Sequence, residues 1–122
     1  MKQSIHQLGD SKVLMLDASG GEFDTDGLAN DLIGLAWGHE ASVIAVPAEA
    51  MPGRFYELRS GLLGEVTQKF ANYRLQLVIL GDVSQHVAAS TAFRDYVHEA
   101  NGGRTLWFEA DLDALAVRLT AL

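Results

Sequence analysis

Residues 75–80 read Leu-Gln-Leu-Val-Ile-Leu, and they follow without a loop a stretch whose apolar residues recur at helical spacing. Six residues are too few for an ordinary buried helix, and five apolar positions among them are too many for a strand with one wet face. The run reads as a strand covered on both faces, which belongs to a parallel sheet packed under helices. The residues before it agree. From Gly61 onward, Leu62, Leu63, Val66, Phe70 and Tyr73 mark one face of a helix, and Glu65, Gln68, Lys69 and Asn72 fall on the other.

A helix that hands over directly to an interior strand predicts the same alternation on either side. Residues 4–8 and 12–16 are strand candidates around the turn signal Gly9-Asp10, and read as a hairpin. After the loop ASGGEFDTDG, Leu28, Leu32 and Leu35 recur with Ala29, Ile33 and Trp37 at helical spacing, with Asp24 or Thr25 as the expected cap. Gly34 inside that helix implies close packing against a neighbour. Residues 42–46 read as a buried strand stopped by Pro47, and residues 48–60 as a short helical turn or an extended connection. Phe93, Tyr96, Val97 and Ala100 form the next helical stripe, begun near Ser90 and closed by Asn101-Gly102-Gly103. Residues 105–108 are the last strand, and Asp111 caps a final helix with Leu112, Leu115, Leu119 and Leu122 inward. The expected fold is α/β: a small mixed, mainly parallel sheet of about five strands flanked by about four helices. With 122 residues, one domain spanning 1–122 is expected.

The residues at 58–82, LRSGLLGEVTQKFANYRLQLVILGD, and at 93–108, FRDYVHEANGGRTLWF, resemble the bacterial family called domain of unknown function 4180. The resemblance covers nearly the whole chain. Ser60-Gly61 stands where that family has Thr-Gly, and Gly64-Glu65, Gln68, Lys69, Phe70, Asn72, Tyr73, Gly81-Asp82, Glu99 and Asn101 match its pattern. Tyr96 replaces an expected phenylalanine. By element order the family is similar in turn to the STAS fold of anti-sigma factor antagonists, so the resemblance implies a STAS-like sheet flanked by helices and no established activity. Residues 16–21, LDASGG, resemble the Asp-Ser-Ser-Gly phosphorylation motif of those antagonists. That likeness makes Ser19 a candidate phosphorylation site, though this copy precedes the first helix and has Ala18 for the first serine. A flexible Gly-Gly loop explains the same residues.

Composition narrows the chemistry. The absence of cysteine excludes disulfides, thiol nucleophiles and zinc-thiolate sites, and fits a reducing compartment. No apolar stretch approaches the roughly 20 residues of a membrane span, and a cytoplasmic location is expected. A net charge of −7 disfavours general nucleic-acid binding. The cations nevertheless gather: residues 1–53 hold Lys2 and Lys12 against eight acids, whereas 54–104 hold six cations against five acids. This asymmetry reads as a partner-binding or anion-tolerant surface, or as solvated ion pairs.

His6, His39, His86 and His98 lack metal-ligand spacing, no triad or nucleophile elbow is visible, and GLLG at 61–64 lacks the lysine end of a phosphate loop, so close helix packing accounts for it. No cofactor or metal is implied. Glu65 and Lys69, at i,i+4 with the acid first, form with Gln68 and Asn72 a stripe that is either a solvated helix face or an interaction site. Arg59 and Asp82 flank the same unit, and Asp82 belongs at a strand C-terminal end, where sites in parallel sheets gather. Arg59, Glu65, Gln68, Lys69, Asn72 and Asp82 are therefore the candidate ligand or partner site. Trp37, Trp107, Phe55 and Tyr56 are the aromatics to inspect for an interface, with burial expected for both tryptophans. The expected function is a non-enzymatic regulatory or interaction module that binds a protein partner or itself. The alternative is a binder of, or enzyme for, a small anionic molecule using the polar stripe.

Overall fold

Two strands open the chain as a hairpin, β1 (Gln3–Leu8) and β2 (Ser11–Leu16), in a computed structural model that describes residues 2–121. Gly9, at φ +60°, takes the first turn position, where a side chain would be strained and would also come within 3.1 Å of the Leu119 carbonyl oxygen. There follow α1 (Leu28–Gly38), β3 (Val43–Pro47), α2 (Leu62–Asn72), β4 (Gln76–Leu80), α3 (Ser84–Ala89), α4 (Thr91–Asn101), β5 (Leu106–Glu109) and α5 (Leu112–Thr120). The five strands lie side by side in sequence order, β1 antiparallel to β2 and every later pair parallel. The α/β architecture with a mostly parallel five-stranded sheet is the one the alternation predicts, with one more helix, α3, than expected.

Stepping one place each time in the same direction, the right-handed connections expected of parallel strands put their helices on a single face. Leu14, Ile44, Leu77 and Leu106 stand in register across that face and pack under α1, α2 and α4. The opposite face is covered by α5: Leu115 and Leu119 pack over Val13, Val43, Ala45, Val78, Leu80 and Trp107. With both faces covered, β4 is apolar almost throughout, as its sequence demands.

Local chemistry sets the helix ends. Helix α4 starts just after Ser90, near which the sequence places its start, and Ser90 caps it by accepting from the Phe93 N–H at 3.1 Å. Asp111 caps α5 by accepting from the Ala114 N–H at 2.9 Å, as the sequence predicts. The expected Asp24 or Thr25 cap on α1 is not made: the helix starts after Gly27, whose left-handed backbone turns the chain into it without a side-chain acceptor. Residues 48–60 resolve into three short 3-10 turns rather than one. The close packing expected at Gly34 and within GLLG is also overturned, since a Cβ at Gly34, Gly61 or Gly64 would meet nothing within 4 Å. Leu122 lies outside the described residues. No helix among those described is long and apolar enough to cross a membrane.

Candidate functional site

Strands β2 to β5 run in one direction, so the segments that follow them share one edge of the sheet. Ligand crevices on such an edge open where the strand order reverses. No reversal occurs here. A hollow of about 590 Å³ forms instead between the 3-10 turns after β3 and helix α3, lined by Tyr56, Glu57, Arg59, His86 and Ser90 among others. The Tyr56 and His86 rings stack 3.9 Å apart and nearly parallel. The Tyr56 hydroxyl donates to the Ala48 carbonyl at 2.6 Å, and burial pushes its phenol well above the usual range. Tyr56 and Phe55 are core residues, each meeting a neighbouring ring edge to face, and so offer no interface. Arg59 reaches the rim with no acidic partner among the described residues.

The polar stripe lies elsewhere. Glu65, Gln68 and Asn72 are exposed on the outer face of α2, and the Gln68 amide donates to Asn72 Oδ1 at 2.9 Å. Lys69 forms no ion pair with Glu65; its Nζ donates instead to Asn30 Oδ1 of α1 at 3.2 Å. Asp82 follows β4, and the Ser84 side chain, then the Ser84 N–H that donates to its carboxylate at 2.8 Å, hold it below the usual carboxylate range; the N–H contact also starts α3. Thus Gln68, Lys69 and Asn72 share a surface with Asn30, while Arg59 lines the hollow and Asp82 borders a separate depression beside Val87 and Phe108. Ser19 sits in the β2–α1 loop, away from any helix start, and its hydroxyl donates to Asp17 at 2.6 Å. The Ser19 hydroxyl, with the Lys2 and Ser19 N–H groups, lowers the Asp17 pKa to about 2.

Sequence reasoning missed a second bridge between α1 and α2. Trp37 and Tyr73 meet edge to face, ring centroids 5.0 Å apart, and remain 53% and 49% exposed. Burial was expected of Trp37 and holds only for Trp107, because Trp37 sits at the margin of the apolar stripe of α1 rather than on it. Asn30, Gly34 and Trp37 follow one another at helical spacing along α1. The two bridges, Asn30–Lys69 and Trp37–Tyr73, therefore flank a bare notch at Gly34. His86 was also missed, since the six residues of α3 show no apolar periodicity. Among the described residues, no three side chains able to hold a metal come together.

A family model described as "Domain of unknown function (DUF4180)" matches residues 8–119. No curated protein and no solved structure matches the chain.

Proposed function

We propose that this chain, which belongs to the family of domain of unknown function DUF4180, is a non-enzymatic bacterial regulatory module of the cytoplasm that holds a protein partner on its α1–α2 surface. The observation that carries the reading is the Trp37–Tyr73 pair, two large rings left half in water. Tryptophan is on average deeply buried, and tryptophan and tyrosine recur as anchors at the centres of interfaces. The same pair of helices carries amide and ammonium groups at Asn30, Gln68, Lys69 and Asn72, polar groups of the kind that keep such a surface hydrated until it is covered. We also read the element order as STAS-like, and partner switching, the role associated with that order, favours the same reading by analogy.

The test is affinity capture on immobilised chain together with sedimentation of the purified protein. A retained partner, or self-association, should be lost in Trp37→Ser and in Gly34→Arg, which fills the notch without disturbing the core. A strictly monomeric chain that retains nothing reproducibly would remove the support for this reading.

The hollow beside His86 favours a second reading, a site for a small anionic ligand with Arg59 as its cation. Ligand at 100 times its dissociation constant should add about 2.7 kcal/mol of stability. A thermal-shift screen without hits, or with hits indifferent to Arg59→Ala, would sink it.

A further inference from the structure

At the opposite edge of the sheet, where the parallel strands begin, two hollows of about 500 and 450 Å³ adjoin and share Ser11, Gln76 and Arg104 in their walls. Arg74 lines the first and Arg118 the second, and no aspartate or glutamate lines either, although acids outnumber cations 16 to 9 in the chain. The simplest task for arginines here is to face the negative ends of α1, α2 and α4, which all point to this edge. Arg118 performs that task. Its guanidinium donates to the Asn101 carbonyl at the end of α4, pairs with Glu109 at 2.9 Å and lies 3.6 Å over the Trp107 ring. The guanidinium groups of Arg74 and Arg104, by contrast, make no hydrogen bond or ion pair with a carbonyl or carboxylate among the described residues. Arg74 also sits at φ +56°, a left-handed position closing α2 that glycine or asparagine fills at lower cost.

We infer that this double hollow binds a small ligand through phosphate groups. One guanidinium fork satisfies the two coplanar oxygens of a carboxylate. Two free guanidiniums, with the hydroxyls of Ser11, Ser42 and Thr105 lining the same walls, exceed that and suit the several oxygens of tetrahedral phosphate. Arg104, on the shared wall, is placed to serve adjacent phosphates of a diphosphate. None of these residues forms the α1–α2 bridges, so the inference stands apart from the partner-binding reading.

Inorganic pyrophosphate is the probe, titrated into the full chain at low salt and followed by calorimetry and amide NMR. Saturable binding is expected, with shifts centred on Ser11, Ser42, Gln76 and Thr105. Arg104→Gln and Arg74→Gln should each weaken it by roughly tenfold or more, and Arg94→Gln, on the outer side of α4, should leave it unchanged. Circular dichroism of each exposed-site variant confirms folding. Non-saturable binding, affinity indifferent to both substitutions, or citrate bound as tightly as pyrophosphate would each overturn the assignment. So would variants that only melt earlier while wild-type chain binds no pyrophosphate, which would leave the arginines to the helix ends.

Discussion

Asp17 shows how a single exposed side chain in this molecule can be strongly organised. The Ser19 hydroxyl, then the Lys2 and Ser19 N–H groups, hold its charged form, taking the pKa from 3.8 to about 2. A folded-state pKa below the unfolded value stabilises the fold above the unfolded pKa, and that contribution disappears as pH falls from about 4 to about 2. Carboxyl NMR should therefore show Asp17 titrating near the lower limit, and in Ser19→Ala its midpoint should rise toward 3.8. A phosphate on Ser19 would set a second negative group against this carboxylate and break the link. Several residues that carry the family resemblance have structural duties at this scale. Ser60 donates to the Arg54 carbonyl and accepts from the Leu62 N–H at the start of α2, and Asn101 accepts from the Phe108 N–H, tying the end of α4 to β5. Gly61, at φ +78°, holds a left-handed turn that a side chain would strain.

Helix α2 can be dissected element by element. Phe70 is fully buried beneath it, and Phe70→Ala should cost about 3–5 kcal/mol in urea denaturation. On α1, Gly34 faces open space in a helix interior, so Gly34→Ala should raise stability by about 0.5–1 kcal/mol, where close packing would have made the same change destabilising. Removing the α5 cap with Asp111→Ala should cost about 1 kcal/mol in the same assay. These elements differ in how far their sequences reveal them. β4 and α2 are legible because one apolar run and one 3.6-residue stripe meet without a loop. α3 is not: six residues give fewer than two turns, and its start depends on a backbone contact to Asp82 that no periodicity records. Trp37 misleads for a related reason, since an apolar residue beside the stripe looks like part of it until the neighbouring helix is in place.

Across the whole molecule the two faces of the sheet are unequal. Three helices cover one face and α5 alone covers the other, where the strands present mainly valine and alanine beneath it. Leu115→Ala should therefore cost about 2–5 kcal/mol and, by loosening α5, raise binding of a hydrophobic dye to the exposed face more than Phe70→Ala does at matched stability. The candidate site was less legible than the fold, because spacing along one helix places Lys69 beside Glu65 but cannot show that it turns to Asn30. Nor can it show that Arg59 and Asp82 diverge. The unbroken order from β1 to β5 has a kinetic corollary. Each parallel strand docks on the one made just before it, so the sheet can accrete in order as the chain leaves the ribosome. The partners of each pair, such as Val13 and Val43 or Leu77 and Leu106, are nevertheless separated by a whole helix, and that loop closure makes every docking step slow. Only α5, synthesised last, must reach back to Gly9, and that late closure sets the final step of assembly.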